Sequence, residues 1–561
     1  MSSNLQFSSI SSSPRVTSLM SIDGQDLKVL IEAALTWLKT NQQTVNSLNV
    51  FPVPDGDTGT NMLLTMQAAF AEIAESGEKN VGKMAHSIAQ GALLGARGNC
   101  GVILSQLWRG FARAMDNLDL MDAQTMVNAL KEGRYTAYKG VVRPVEGTIL
   151  TVAKDISIAS EKSLESTNDL LVILEDSVKA ADISVQHTPE LLPILKQAGV
   201  VDAGGKGLFY LFDGMLRFLK GQSLETEDMA VRPLSALNIE NTKETIEPGQ
   251  DFEWVVDFRP DSTLDIDKFY HDLCQIGTSI QLGEGDGMFR MHIHVSKEKR
   301  DAPLDYIGSM GTILKWTGEN LVAQLESLED NSNIKINYAA VTPGQIAVVA
   351  VSPGDGISRI FASLGVAAIV EGGQTMNPST EEIVRAVENL PTDKIIILPN
   401  NKNIILAAQA AVTVTLKKTI VIPSKSIPQG LSAMLRLDPD YELDHVANDM
   451  NRALHDVETG EITVATRSVE INGVNVRAGE VIALHNGTLV SASETIEEAC
   501  LDLLEKANTN ERERITFFYG KNISHSEVNR IVDKIRLKYP AHEIEMHEGG
   551  QPHYQFIISI E

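Results

Sequence analysis

Between Ile22 and about Lys220 the apolar residues return at helical spacing, as in Leu27, Leu30, Ile31, Ala34, Leu35 and Leu38, and no run there alternates with period two. Such a stretch buries its apolar stripes by packing helix on helix, so this part is expected to be all helix. Its breaks are glycine-rich or proline-containing: Phe51 to Thr60, Gly91 to Gly101, Arg143 to Thr148 and Val201 to Gly207. Loops of that kind among packed helices are where a ligand can be held.

The pattern then changes twice. From Gly221 to Gln250 it dissolves into Glu, Thr, Asn and Pro, which reads as a linker. Phe252, Trp254, Val256 and Phe258 alternate, helical spacing returns near Ile266 to Ile276, and Phe289, Met291, Ile293 and Val295 alternate again, with a second helix expected near Pro303 to Ser327. From about Asn331 strand and helix take turns: Ile346 to Val351, Ala367 to Val370, Lys394 to Leu398 and Thr419 to Ile422 read as buried strands of a parallel sheet. Beyond Asp440, strand-like stretches at Glu461 to Ala465, Val469 to Val476, Glu480 to Leu484 and Tyr554 to Ile560 predict a mixed or antiparallel sheet. A single core stops growing near roughly 250–300 residues, and this chain has 561. The expected fold class is therefore multidomain: an all-α helical domain over 18–222, a linker over 223–249, a small α+β middle domain over 250–330 and an α/β C-terminal domain over 331–561.

A formal charge of −26 argues against an extended nucleic-acid or anionic-membrane partner. A small anion such as ATP is still admissible where metal ions and backbone N–H groups shield it. Cys100, Cys274 and Cys500 are far apart, so neither a disulfide framework nor a four-cysteine zinc site is on offer, and a reducing cytoplasm fits. Met1 to Met20 is serine-rich and lacks the apolar core of a signal peptide, and no apolar run is long enough to span a bilayer, so a cytoplasmic location is expected.

The most informative stretch runs from Asn49 through Pro52, Pro54, Asp55, Gly56, Asp57, Thr58, Gly59 and Asn61 to Met62. Prolines stiffen the approach and glycines admit a close ligand. Magnesium prefers carboxylate, water and phosphate oxygens, so two aspartates about one tight turn can hold it against a triphosphate, beside the free N–H groups of a helix start. The bland alternative is a turn and an N-cap, the usual work of Asp-Gly. A second loop, Gly95-Ala96-Arg97-Gly98-Asn99-Cys100-Gly101, and a third, Val201-Asp202-Ala203-Gly204-Gly205-Lys206-Gly207, again open helices. Three glycine-rich helix starts in one helical domain are hard to explain by packing alone.

These motifs, with Pro144-Val145-Glu146-Gly147-Thr148, resemble the helical nucleotide-binding domain of dihydroxyacetone kinases. The longer approach from Val45 to Pro54 and the three-part layout resemble more closely the bacterial fatty acid kinase A family. No Walker A sequence and no protein-kinase signature occurs. The resemblance implies Asp55 and Asp57 as magnesium ligands and catalytic residues. It puts Thr58, Asn61 and Met62 against the nucleotide, has Gly98, Asn99, Cys100 and Gly101 wrap the phosphates, and sets Asp202 and Gly204 near the nucleoside. Asn49 stands near where dihydroxyacetone kinases supply a third metal-binding Asp, and Cys100 replaces a serine, which removes a hydroxyl donor but leaves the backbone donors.

On the strand carrying them, His292 and His294 project from the face opposite Met291, Ile293 and Val295 and can share a metal, with Glu253 or Asp257 as a candidate carboxylate; the bland reading is an exposed polar strand face. The fatty acid kinase family resembles this with a zinc site in which a Cys precedes His-x-His. Val255 holds that Cys position and Cys274 falls on the intervening helix.

The resemblance further implies ATP and magnesium as cofactors, zinc as a candidate third, and a fatty acid held by a separate fatty-acid-binding carrier protein as the acceptor, giving an acyl-phosphate for phospholipid synthesis. A carboxylate acceptor is already ionised at neutral pH, so no general base is required. The C-terminal region is the candidate carrier-docking or homodimer surface, and its Gly372 to Pro378 and Leu398 to Asn401 loops follow strands where α/β folds place ligand contacts. The rivals are a dihydroxyacetone-type small-metabolite kinase, which would need a covalently attaching histidine not recognised here, and a catalytically silent nucleotide-binding regulatory protein.

Overall fold

A computed structural model describes residues 16–49, 56–141, 143–224, 232–233, 252–261, 264–285, 288–320, 338–374, 376–471, 473–507, 509 and 512–561. The expected helical region is a bundle of α1 (Gly24–Thr40), α2 (Gln42–Ser47), α3 (Thr58–Ala71), α4 (Val81–Leu94), α5 (Gly98–Arg113), α6 (Ala123–Gly140), α7 (Ile149–Leu164), α8 (Leu170–Leu191), α9 (Pro193–Ala198) and α10 (Ala203–Leu219). Its one extended feature among the described residues is a two-residue ladder, β1 (Ser21–Ile22) with β2 (Met121–Asp122).

The local chemistry of α1 shows why these segments are helices. Asp23 caps it by accepting from the backbone of Gln25 and Asp26, the Asp26 side chain accepts in turn from the Asp23 backbone, and the helically spaced Leu27, Leu30, Ile31, Ala34 and Leu38 are buried. The bundle shares a core reaching from Val16 to Leu224. It encloses an apolar cavity of about 100 Å³, bordered by Leu30, Leu104, Trp108, Met126, Leu174 and Leu211 among others.

Residues 226–335 cluster as a unit of their own. It holds β3 (Arg232–Pro233), β4 (Phe252–Pro260), α11 (Ile266–Ile276), β5 (Thr278–Gly285), β6 (Met288–Val295), α12 (Ala302–Gly308) and β7 (Gly311–Asn320), in one sheet of order β3-β5-β6-β4-β7. The helix expected from Pro303 to Ser327 is a correction: α12 stops at Gly308 and the chain returns as β7 along β4. Glycines at 308 and 311 interrupt the helix, and the β-branched Thr312, Ile313 and Thr317 suit a pleated strand. The expected linker lies almost wholly outside the described residues; within it Arg232–Pro233 pairs with β5.

The C-terminal half begins with β8 (Ile346–Ser352), α13 (Asp355–Ser363), β9 (Ala368–Glu371), α14 (Thr380–Glu388), β10 (Lys394–Leu398), α15 (Ile405–Val414) and β11 (Lys418–Val421). The pairings in this sheet are parallel, in the order β11-β10-β8-β9, and β8 is buried at all its residues, as a strand covered on both faces must be. Helices α16 (Ile427–Met434) and α17 (Leu443–Ala453) lead into β12 (Glu458–Val464), the hairpin β13 (Val469–Ile471) and β14 (Val474–Val476), then β15 (Val481–His485), β16 (Thr488–Ser493), α18 (Ile496–Lys506), β17 (Arg514–Tyr519), α19 (His525–Lys538), β18 (Glu543–Glu548) and β19 (Tyr554–Ile560). The second sheet, β16-β15-β12-β19-β17-β18, is mixed because β17 and β18 run parallel.

The helical part and this C-terminal half form one compact unit. Ala96 and Val102, at and beside the start of α5, are buried in the same cluster as Val349, Val351, Ile397 and Ala407. That shared core brings the second glycine loop against the ends of parallel strands.

Candidate active site

Asp57 occupies the N-cap position of α3, yet its side chain makes no capping bond. Asn46, on α2, does that work: its Oδ1 accepts from the backbone N–H of Gly59 at 2.8 Å and of Thr60 at 3.2 Å. Asn46 is held in turn by its Nδ2 donating to Thr60 Oγ1 at 3.1 Å, an oxygen that also accepts from Gln42 at 2.8 Å. Glycine is needed at 59 because a methyl group there would lie 2.5 Å from the Gln42 carbonyl oxygen. The Asp57 carboxylate is thereby released from capping, so the bland reading of Asp-Gly fails at this residue. Asp55, with 50–54, lies outside the described residues.

The three glycine-rich helix starts converge. Gly98, the first residue of α5, sits at φ +58, where a side chain is strained, and a methyl group on it would lie 2.7 Å from the Asn61 amide of α3. Arg97 at the α5 N-cap makes no side-chain cap bond, leaving the first amides of that helix to other acceptors. A methyl at Gly101 would strike Thr65 Oγ1, and one at Gly204 would lie 2.9 Å from Cys100 Sγ, so α10 meets α5 there. Asp202 caps α10, accepting from Gly205 N at 2.6 Å. Burial, only partly offset by bonds from the Gly205 and Ile149 backbone, pushes its carboxyl up to about 6. Burial, then the charges of Asp202 and Asp57, push the Cys100 thiol up, so Cys100 stays a thiol and is no thiolate nucleophile. Thr58 opens α3, and Met62 is fully buried with its sulfur toward Gly207.

The Pro144 to Thr148 loop is braced by Glu146, which accepts from Tyr138, Thr151 and Lys154 at 3.0, 2.7 and 2.7 Å. Burial raises the Glu146 carboxyl and these donors outweigh it, holding it below the usual range.

Sequence reasoning singled out the Gly372 to Pro378 loop by its place after a strand, but missed that it and other C-terminal segments reach this site. Asn377, in the loop between β9 and α14, donates from Nδ2 to Asp57 Oδ2 at 2.5 Å. Arg97 Nη1 donates to the Asn377 carbonyl at 2.9 Å and pairs with Glu382 at 3.1 Å. Thr380 N donates to the Ala96 carbonyl at 3.1 Å, Asn99 Nδ2 reaches Asn403 Oδ1 at 3.4 Å, and Arg467 donates to the carbonyls of Asn49 and Ala198. No local signal could have shown these contacts, since Asn377 lies 320 positions from Asp57. The two C-terminal loops singled out by position do border a common cavity of about 50 Å³, with Gly372, Gly373 and Gln374 on one side and Pro399, Asn400 and Asn401 on the other.

In the 226–335 unit, His292 and His294 lie opposite Val255 and Glu253 in the β4–β6 register, with ring centroids 4.8 Å apart. They are buried, at 6% and 7% exposure, which corrects the reading of an exposed polar strand face. Among the described residues no group of three or more His, Cys, Asp or Glu side chains gathers as a metal cluster. Magnesium does not require one, because it is commonly held by one or two carboxylates together with phosphate and water; Asp57 beside three helix starts has the donors for that. No helix among the described residues is long and apolar enough to cross a membrane.

Residues 52–217 match the family model described as the DAK2 domain, and residues 347–561 match the C-terminal model of the fatty acid kinase A-like proteins. The chain is 38% identical to Protein YloV of Bacillus subtilis over 557 residues, covering 97% of this chain and 100% of that protein. It is 37% identical to an uncharacterized protein of Staphylococcus haemolyticus over 538 residues, covering 93% and 96%. Among solved structures, the dihydroxyacetone kinase of C. freundii superposes with a TM-score of 0.27 at 18% identity, over 39% of this chain and 38% of that one. The fatty acid kinase B3 protein of Streptococcus pneumoniae loaded with linoleic acid does so with a TM-score of 0.29 at 13% identity, over 39% and 99%.

Proposed function

This chain belongs to the fatty acid kinase A-like family, and on that footing we propose that it transfers the γ-phosphoryl group of ATP to the carboxylate of a fatty acid presented by a separate carrier protein, giving an acyl-phosphate. The observation that carries this reading is the Asp57 carboxylate, relieved of capping by Asn46 at one of three glycine-rich helix starts that meet. Phosphoryl transfer asks a protein mainly for positioning and charge neutralisation. Magnesium supplies the second when bound, drawing charge from the phosphate oxygens.

The chain's residues do the rest. Asp55 and Asp57 would hold the metal. The amides of Gly98, Asn99 and Cys100 bind phosphate oxygen as the start of α5 favours an anion, while the Gly101 amide is spent on the Arg97 carbonyl. Asn61 fixes α3 against Gly98, and the loop at Asp202 and Gly204 closes the nucleoside side. An ionised fatty-acid carboxylate attacks without surrendering a proton, in keeping with a site whose Cys100 remains protonated and whose signature loops hold no histidine. With no third His, Cys, Asp or Glu gathered beside them among the described residues, no zinc is proposed at His292 and His294.

The test is turnover of labelled ATP by the purified chain with fatty acid and a fatty-acid-binding carrier, with fatty acid alone, and with dihydroxyacetone. Acyl-phosphate is expected only in the first mixture, and Asp57→Asn should lower its rate at least about a hundredfold, the scale seen when a charge-stabilising group is lost. Phosphorylated dihydroxyacetone, or acyl-phosphate formed equally well without carrier, overturns the reading.

A further inference from the structure

We infer that Asn377, supplied by the C-terminal half, is a positioning residue of the nucleotide site: it orients Asp57 for magnesium, so that the metal site is complete only when the two halves are docked. The inference rests on the kinase reading and names a residue that reading does not contain.

Asn377 is 2% exposed and belongs to the loop that follows β9 at the end of the parallel sheet. Its Nδ2 donates to Asp57 Oδ2 at 2.5 Å, and a methyl at Gly98 would come within 3.7 Å of the same nitrogen, so the amide sits between Asp57 and the start of α5. A carboxylate has lone pairs for several partners, and a neutral donor on Oδ2 fixes the plane of the group without using up its capacity for a cation. Carboxylates that ligate metals are characteristically held in this way, and losing the holding bond weakens metal binding about 10- to 100-fold.

A second observation points to a ligand. Asn377 Oδ1 is buried and makes no hydrogen bond among the described residues. A buried amide oxygen is seldom left so. It is part of the same small amide group that touches Asp57, and it can only accept. Magnesium keeps several of its waters, which are donors, so a hydrated cation on Asp57 is a partner of the right chemistry. The loop itself is fixed at other points: its Asn377 carbonyl by Arg97, its Ser379 backbone N–H by Glu382 at 2.6 Å, Glu382 by Arg97, and Thr380 N by Ala96. These contacts hold the loop; the Asn377 side chain reaches past them to the carboxylate.

The test measures binding to the full-length chain of a non-hydrolysable ATP analogue across a magnesium titration, with displacement of Mn²⁺ read by its spin resonance. Asn377→Ala should raise the magnesium concentration for half-saturation about tenfold, the weight of one hydrogen bond to a charged group. Binding of the analogue without metal should stay within about twofold of wild type. Glu382→Gln, which loosens the brace and leaves the Asn377 amide in place, should shift the magnesium midpoint less than about twofold, the scale of a partly exposed ion pair. The inference is overturned if Asn377→Ala keeps the wild-type midpoint, or if Glu382→Gln moves it as far, which would make the contact a brace alone. Failure of the wild-type chain to bind the analogue with magnesium overturns the kinase reading and the inference with it; the two failures differ because one is read on the wild type and the other on the variants.

Discussion

Asp57 and Asp202 stand in the same position, at the N-cap of a helix in a glycine-rich loop, and are used differently. Asp202 spends its Oδ2 on Gly205 N and loses much of its hydration, which lifts its carboxyl to about 6 from an ordinary 3.8. Between those values the folded protein keeps a proton that the unfolded chain has released, so this group favours the folded state at low pH and that contribution is lost as pH rises through about 6. Asp202→Asn retains an oxygen for Gly205 and cannot ionise. Without metal or nucleotide, the variant should therefore be more stable than wild type at about pH 8 by roughly 1–3 kcal/mol relative to any difference at about pH 4. Urea unfolding of both proteins at the two pH values measures this, and a difference that does not change with pH would refute it. Asp57 has its capping duty taken by Asn46, which is the physical distinction between an aspartate that builds a helix start and one available to a ligand.

The elements were legible to different depths. Helical period and the Gly, Pro and Asp breaks set out the helices of the bundle, and β8 to β11 were legible as short apolar runs between helical stretches. The strand β7 was not, because Ile313, Leu314 and Trp316 fit a helical stripe as well as a pleat, and pairing with β4 decided the matter. The glycine-rich helix starts stood out by their spacing, but the residue that takes the α3 cap over from Asp57 did not: Asn46 belongs to another helix, and its bonds to Gly59 and Thr60 exist only once α2 and α3 are packed. Asn46→Ala should cost about 1 kcal/mol, as for other lost caps, and should return Asp57 toward capping duty. The expected outcome is a fall in nucleotide affinity larger than the stability loss alone explains, seen by comparing urea midpoints with magnesium-dependent binding of an ATP analogue; unchanged affinity would count against the division of labour. Gly98→Ala meets both a φ of +58 and the Asn61 amide 2.7 Å from its new methyl. It should lower turnover sharply while leaving most of the bundle's helical circular dichroism, and wild-type turnover would show that the start of α5 does not need its left-handed residue.

At the scale of the whole chain, the helical part and the C-terminal half are joined by a common core through Ala96 and Val102 and by polar contacts on both sides of the site, Asn377 and Arg97 at one and Arg467 at the other. Nothing in the sequence could place these partners together, because the contacts run between residues hundreds of positions apart and depend on how two separately patterned regions dock. The arrangement has a consequence for ligand binding. A nucleotide that orders the starts of α3 and α5 must also restrain the groups bonded to them, and in amide exchange such restraint is read as slower opening. With a non-hydrolysable ATP analogue and magnesium, exchange should slow at 58–62 and 97–101, and also at 376–380 and near Arg467 in the C-terminal half. Removing both Asn377 and Arg467 by alanine substitution should confine the slowing to the helical part while the analogue still binds at raised concentration. Were the wild-type effect to stop at the helical part, the C-terminal half would be a neighbour of the nucleotide site and no part of it.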